Sequence, residues 1–297
     1  MQRNDTDTTD TASVEGDATA TALADRHQQR RALLAAGFPV VPALPAASQA
    51  EARRAVEIMG TPAVFKARRR GIGSTDGSTD GDTTGDASRA IASRGIRFVR
   101  SRGDVDAAFA ELDQPVLVEP LLGVSDEIVV LVARRCGGEA VAYPPIRTIH
   151  TRGVRRIAEA PSGLGAALEA EATGLALAVA EHVGGVGIVA VEMFVVGGAL
   201  AVNEVVAGPH PSGHLTDDAC ATSQFENHRN ALLDRPLGST CLVVSAATTA
   251  YAPAGGGDPD RAGGHVTVTG SNWEETRREA VEAARELAAS TAVAVVA

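Results

Sequence analysis

A pair of adjacent glycines between two apolar runs constrains the fold of this chain more than any other local feature. Residues 187–195 and 199–204 are rich in Val and Ala, and Gly197-Gly198 stands between them. Adjacent glycines adopt the positive φ angles of a tight turn at little steric cost, so the pattern predicts an antiparallel β-hairpin. Because both runs are apolar, we expect the hairpin to be buried in the sheet of a globular protein.

Polar residues occur toward the end of each predicted strand. Glu192 lies on the first strand, and Asn203 and Glu204 lie on the second. Paired strands bring such side chains together, and Mg²⁺ takes oxygen ligands of this kind, usually one or two carboxylates alongside substrate phosphates. The alternative is that these residues are strand-end charges that point into solvent.

One lysine stands out among the basic residues. Of the 27 Lys and Arg residues, only Lys66 is a lysine. It lies near the end of residues 62–67, which predict a short buried strand, and residues 68–87, rich in Gly, Ser, Thr and Asp, predict a loop after it. A lysine before such a loop suits phosphate contact, although a purely structural role is the alternative. Together with the carboxylates, Lys66 predicts a nucleotide held between two lobes.

The balance of charge limits the partners. The chain has 27 Lys and Arg against 37 Asp and Glu, and this net charge of −10 argues against sequence-independent binding of nucleic acid. Residues 1–20 predict a disordered tail and not a signal peptide, and the most apolar window, residues 184–206, contains charges that argue against a membrane span. Three widely spaced cysteines predict no disulfide framework. We therefore expect a cytoplasmic protein without a membrane partner.

Three motifs in the second half of the chain carry a family resemblance. Residues 203–214 read NEVVAGPHPSGH, residues 219–228 read ACATSQFENH, and residues 235–240 read RPLGST. They resemble the signature of the 5-(carboxyamino)imidazole ribonucleotide synthase family, whose members are ATP-grasp ligases of purine biosynthesis. The resemblance extends from about residue 25 to about residue 270.

The resemblance implies a fold and an order of domains. The fold is α+β, an ATP-grasp fold whose two lobes clamp a nucleotide, with a small β-rich C-terminal lobe. The order is a disordered tail (1–20), entry helices (21–60), a small lobe with a glycine-rich lid (61–117), a large lobe (118–240) and the C-terminal lobe (241–297). The nucleotide-fold domain that comes first in the family is expected to be absent, because only a polar tail precedes the entry helices.

The resemblance also implies roles for individual residues, through their positions in the family's motifs. Glu192 and Glu204 are the implied metal ligands, and His210 is the implied catalytic residue of the bicarbonate pocket. His150 and His214 are the implied substrate contacts. The implied ATP-binding residues are Arg26, Lys66, Glu119, Leu122, Glu127 and Asn203.

The implied activity is the ATP- and bicarbonate-dependent carboxylation of aminoimidazole ribonucleotide through carboxyphosphate, with ATP and Mg²⁺ as cofactors. Cations would neutralise the transferring phosphoryl group, and the lid would exclude water from the intermediate. The enzyme would be a carbon–nitrogen ligase with small-molecule substrates, and the family is commonly dimeric.

Several positions depart from the family pattern. Gly208 stands at an arginine that stabilises the developing anion, Pro211 replaces an asparagine and removes a donor, and Leu215 stands at a tryptophan. The departures leave two alternatives open. One is a catalytically weakened paralogue that binds nucleotide or a partner without turnover, and the other is a ligase with a different small acceptor. The spacing of His210 and His214 would suit zinc only on a helix, which Pro211 disfavours.

Overall fold

The computed structural model describes residues 23–69, 95–151, 154–253 and 262–294. The predicted tail at residues 1–20 lies outside these ranges, and so does most of the predicted glycine-rich lid. Within the described residues the chain forms a four-stranded and an eight-stranded sheet. No helix in this part of the chain is long and apolar enough to span a lipid bilayer.

The four-stranded sheet is antiparallel, with strands in the order β1-β4-β2-β3. Its strands are β1 (Leu44–Ala46), β2 (Ala63–Ala67), β3 (Ile96–Val99) and β4 (Val116–Pro120). Two helices, α2 (Gln49–Met59) and α3 (Val105–Leu112), share an apolar core with it, which includes Phe65 and Val118. Ser48 caps the start of α2, because its hydroxyl accepts a hydrogen bond from the Glu51 N–H at 3.2 Å.

The eight-stranded sheet contains the predicted hairpin. Its strands are β5 (Val124–Arg134), β6 (Ala140–Ala142), β7 (Ile146–Thr151), β8 (Val154–Ala160), β9 (Gly187–Val196), β10 (Ala199–Ala207), β11 (Ala246–Pro253) and β12 (Ala262–Gly270). Their order is β10-β9-β5-β7-β8-β11-β12, with β6 paired to β5. The sheet continues across the predicted boundary at residue 241, because β11 pairs with β8. The separate C-terminal lobe stays a prediction.

Both faces of the hairpin are covered, which explains its nearly continuous apolar sequence. Val189 and Val191 of β9 belong to one core, which includes Ala176 of helix α4 (Ala166–Val183). Ile188 and Ala190, the alternate residues, belong to a second core on the opposite face. The other α-helices in the described part of the chain are α5 (Thr216–Ala219), α6 (Gln224–Leu232) and α7 (Trp273–Ala294).

The entry helix α1 (Arg26–Ala35) covers the outer edge of β10. The Gln29 side chain donates to the Val205 carbonyl at 2.8 Å and accepts from the Val205 N–H at 2.9 Å, as a neighbouring strand would. The Val41 N–H donates to the Val202 carbonyl at 3.1 Å. These contacts satisfy backbone groups at the sheet edge and bring the arginines of α1 beside β10.

Candidate functional site

A cavity of about 420 Å³ lies between the two sheets. The small sheet contributes residues of β2, β3 and β4, the large sheet contributes residues of β5, β7, β9 and β10, and α1 contributes Arg26. Nine predicted site residues line this one cavity: Arg26, Lys66, Glu119, Leu122, Glu127, His150, Glu192, Asn203 and Glu204. Residues from the two halves of the sequence therefore meet at a single place.

The two predicted metal ligands face each other across the hairpin. Glu192 of β9 and Glu204 of β10 are directly paired in the strand register. A register shift between Val202 and Glu204 leaves Asn203 in a β-bulge. In a regular strand, consecutive side chains point to opposite faces, and the bulge explains how Asn203 and Glu204 both line the cavity. Both carboxylates lie inside their strands, so the interpretation of strand-end charges was wrong.

Lys66 contacts both sheets. Its Nζ lies 2.7 Å from Glu119 Oε2 on β4 and donates to Asn203 Oδ1 on β10 at 2.7 Å. The ammonium also lies 5.7 Å from the centre of the Phe194 ring, within the range of a cation–π contact. Lys66 and Glu119 are both buried. The lysine side chain is therefore held at the cavity wall by partners from two lobes.

Arg26 joins one predicted metal ligand to the end of β2. Its Nε lies 2.8 Å from Glu204 Oε1, and its Nη1 donates to the Ala67 carbonyl at 2.8 Å. Helix α1 is held in place by Asp25, whose carboxylate accepts the His27 and Gln28 N–H groups and pairs with Arg68 at 2.9 Å. The Arg68 guanidinium and these N–H groups lower the pKa of Asp25 against the opposing effect of burial.

Glu127 and His150 form a cross-strand pair that also lines the cavity. Glu127 lies on β5 and pairs in register with Thr148 of β7, and His150 Nδ1 lies 2.8 Å from Glu127 Oε2. The contact lacks the angles of a hydrogen bond. It becomes an ion pair only when the imidazole is protonated. The position of His150 depends on β7, a strand that the sequence analysis did not predict.

His210 reaches the cavity through Glu192. Its Nδ1 accepts the Ser212 N–H at 3.3 Å, and its Nε2 lies 3.1 Å from Glu192 Oε1. An imidazole that accepts at Nδ1 carries its proton on Nε2 when neutral, so His210 donates to Glu192. His214 is not among the described residues that line the cavity. Its ring stacks on the ring of His265, with 4.0 Å between centroids.

Apolar residues complete the cavity, and sequence reasoning missed them. Ile96 and Phe98 of β3 line the small-sheet side, and Phe194 of β9 lines the other. The available signal was the alternation of Ile96 and Phe98, which places both side chains on one face of a strand. These surfaces can receive a flat, weakly polar group such as a purine, while the charged end of the cavity suits phosphates.

Much of the signature itself is structural. Gln224 is fully buried, and its amide bonds both the N–H and the carbonyl of His210, at 2.9 and 2.8 Å. Asn227 bonds the Gly238 N–H at 2.7 Å and the Tyr143 hydroxyl at 2.8 Å. A Cβ at Gly238 would overlap the Thr222 side chain, which explains the glycine of the PLGST run. The motif therefore holds the loop that carries His210.

The three departures from the family pattern are not among the described residues that line the cavity. Gly208 has φ +96, a conformation that L side chains rarely adopt, and no atom lies within 4 Å of a Cβ built there. Pro211 begins a five-residue 3₁₀ helix, Pro211–Leu215, where its missing N–H costs nothing. Leu215 is buried in the core of the large lobe.

The donor set fits a divalent cation such as Mg²⁺. Glu192, Glu204 and Asn203 present carboxylate and amide oxygens on one side of the cavity, and hard oxygen ligands are what Mg²⁺ prefers. Among the described residues, no group of three or more His, Cys, Asp or Glu side chains could hold a metal ion. A cation at these residues would therefore need phosphate or water oxygens to complete its shell.

Comparison with known proteins agrees with this arrangement. Residues 87–225 match the model of the ATP-grasp domain. The crystal structure of the ADP complex of an N5-carboxyaminoimidazole ribonucleotide synthetase superimposes with a TM-score of 0.73 at 26% identity, covering 91% of this chain and 71% of that chain. The fold, with its cavity between two sheets, is the ATP-grasp fold, and the chain belongs to the ATP-grasp proteins.

The particular relatives are N5-carboxyaminoimidazole ribonucleotide synthases, and this chain is their homologue. The protein of Synechococcus elongatus is 33% identical over 221 residues, which are 74% of this chain and 51% of that protein. The protein of Mycobacterium leprae is 40% identical over 156 residues, which are 51% of this chain and 36% of that protein. The chain thus spans about half the length of the S. elongatus relative and a smaller share of the M. leprae relative. The predicted family and fold are confirmed.

Proposed function

We propose that this chain binds ATP with Mg²⁺ in the cavity between its two sheets and carboxylates aminoimidazole ribonucleotide with bicarbonate. The observation that carries the proposal is the convergence of Lys66, Glu119, Glu127, Glu192 and Glu204 on one cavity. Its homologues are N5-carboxyaminoimidazole ribonucleotide synthases, and one related structure is an ADP complex. A cytoplasmic location and a homodimer remain predictions.

The residues suggest a division of labour along the cavity. The base would lie against Phe98 and Leu122, and the Glu127 carboxylate would accept the ribose hydroxyls. Lys66 and Arg26 would contact the phosphates, because both cations lie at the charged end of the cavity. Bound at Glu192 and Glu204, Mg²⁺ would neutralise charge on the transferring phosphoryl group.

His210 would act at the same end of the site. Its Nε2–H donates to Glu192, while Nδ1 is occupied by the Ser212 N–H. The ring therefore orients a carboxylate of the site directly, whether or not it also contacts bicarbonate. His150 would hold Glu127 in place from β7, whereas His214 would contact the acceptor only if that substrate reaches beyond the cavity.

A second candidate function is nucleotide binding without turnover. Gly208 favours it, because no side chain at this position can stabilise an anion. The loss of one charged donor at a developing anion typically slows a reaction by about 10² to 10³. The cavity and its cations would still bind nucleotide in that case.

One assay separates the two functions. Phosphate release from ATP and Mg²⁺ is measured with bicarbonate, with and without aminoimidazole ribonucleotide, for the parent protein, Glu204→Gln and Glu181→Gln. Glu181 is exposed on α4 and serves as the matched control. We expect the ribonucleotide to stimulate release in the parent and in Glu181→Gln, and Glu204→Gln to lose about 100-fold or more. ATP binding without release would favour the second candidate, and a parent that does not bind ATP would refute both.

A further inference from the structure

The buried arginine Arg30 ties three separate segments together. Its Nη2 lies 3.0 Å from Glu119 Oε1 on β4 and donates to the Asn203 carbonyl on β10 at 2.7 Å. Its Nη1 donates to the carbonyl of Val41, which precedes β1. The side chain is 9% exposed, and Arg30 is not among the described residues that line the cavity. Arg30 therefore acts on the site only through its partners.

Glu119 shares its carboxylate between two cations. Arg30 holds Oε1 at 3.0 Å, and Lys66 holds Oε2 at 2.7 Å. Glu119 is 3% exposed, so water does little to screen these charges. The three side chains together carry a charge of +1. Without Arg30, Lys66 and Glu119 would neutralise each other, and the ammonium would have no excess charge to offer an anion.

Arg30 also sets the geometry of the lysine. By holding the Asn203 backbone it fixes the bulge whose side chain accepts from Lys66 Nζ at 2.7 Å. By holding Glu119 it fixes the second acceptor of the same ammonium. Both partners of Lys66 are thus anchored by one guanidinium, whose planar, forked donors can serve several oxygens at once.

We propose that Arg30 is a positioning residue that keeps Lys66 aimed at, and electrostatically available to, the phosphates of a bound nucleotide. The proposal rests on the proposed function, since it assumes that the cavity takes ATP. It assigns to Arg30 an effect on phosphate binding that a purely structural residue would not have.

Equilibrium binding of ATP and of adenosine, both with Mg²⁺, tests this role in the parent, Arg30→Met, Arg30→Lys and Arg31→Met. Arg31 is the exposed neighbour on the same helix and provides the matched control. We expect Arg30→Met to weaken ATP binding by about 10- to 100-fold, the effect of one unit charge near a phosphate at intermediate dielectric. Adenosine binding should change less than 3-fold, because adenosine carries no phosphate. Arg30→Lys, which keeps the charge but not the fork, should recover only part of the lost ATP affinity, and Arg31→Met should match the parent.

The double variant Arg30→Met/Glu119→Gln separates charge from structure. Removing the carboxylate as well leaves the Lys66 ammonium without its neutralising partner, so the double variant should lose at least about 5-fold less ATP affinity than the product of the two single losses predicts, a coupling that independent sites would not show. Arg30→Lys, which keeps the buried charge, carries the test if Arg30→Met does not fold, and its loss of ATP affinity should again exceed its loss of adenosine affinity.

Three results would overturn the role of Arg30: unchanged ATP affinity in Arg30→Met, an equal loss of ATP and adenosine binding, or a loss in the double variant that equals the product of the two single losses. A parent protein that binds no ATP would instead overturn the proposed function, and the role of Arg30 with it.

Discussion

Replacing Asn227 with alanine should destabilise the protein without changing the nucleotide site. The Asn227 side chain is fully buried, accepts from the Gly238 N–H at 2.7 Å and donates to the Tyr143 hydroxyl at 2.8 Å. The Gly238 N–H would lose its partner, which costs about 1–3 kcal/mol, and the lost bond to Tyr143 adds about 1 kcal/mol. Tyr143 keeps its bond to the Thr222 carbonyl. We therefore expect a loss of about 2–4 kcal/mol in the free energy of unfolding.

Urea unfolding followed by circular dichroism measures this loss, with Asn230→Ala on the same helix as the matched control. Asn230 is half-buried, so its replacement should cost less than about 1 kcal/mol. At temperatures where Asn227→Ala is folded, its affinity for ATP should equal that of the parent, because Asn227 is not among the described residues of the cavity. A destabilisation below about 0.5 kcal/mol would refute the hydrogen-bond argument. Full stability with lost ATP binding would show that the signature acts on the ligand itself.

Two further predictions concern stability. Burial lowers the pKa of His228 below its ordinary value of 6.5, and its Nδ1 accepts the Ile188 N–H at 3.0 Å. The unfolded chain therefore binds a proton at His228 near pH 6.5, whereas the folded protein binds it only at lower pH. The contribution of neutral His228 to the free energy of unfolding is thus present above pH 6.5 and is lost as the pH falls toward the lowered pKa. His228→Asn should reduce the fall in the urea midpoint between pH 7.5 and pH 5.5, whereas replacement of the exposed His265 should leave it as in the parent. Gly208→Ala should lower the free energy of unfolding by about 1–2 kcal/mol through the strain of φ +96 alone, since no atom lies within 4 Å of the new Cβ. Gly137 is equally open but has no positive φ, so Gly137→Ala should leave the free energy of unfolding unchanged. Equal urea midpoints for the two variants would contradict the assignment of strain.

Local signals in the sequence predicted a large part of this fold. The Gly197-Gly198 pair predicted the hairpin of β9 and β10, because a two-residue turn depends on backbone conformation at those residues alone. Ser48, three residues before Glu51, is a local signal of the same kind for the start of α2. The resemblance carried by residues 203–240 then implied which residues of distant elements belong to one site, and nine of them line one cavity.

Other features of the site were not available from the sequence. Strands β7 and β8 carry short, mixed runs of polar and apolar residues, so their place in the sheet depends on pairing with β5 and β11. The bulge at Asn203 is a property of the paired strands, and no residue pattern in β10 marks it.

What the sequence determined by itself were those elements that carry local signals, such as the β9–β10 hairpin, and the identity of the charged groups, because helix caps, tight turns and apolar periodicity are local. Only the tertiary structure decided how those charges are paired. Lys66 lies 137 residues from Asn203 in the chain, and Arg30 lies 89 residues from Glu119. Such contacts form only when the entry helix covers the edge of β10 and the two sheets enclose the cavity. For that reason the buried link from Arg30 through Glu119 to Lys66 became visible only in the folded protein.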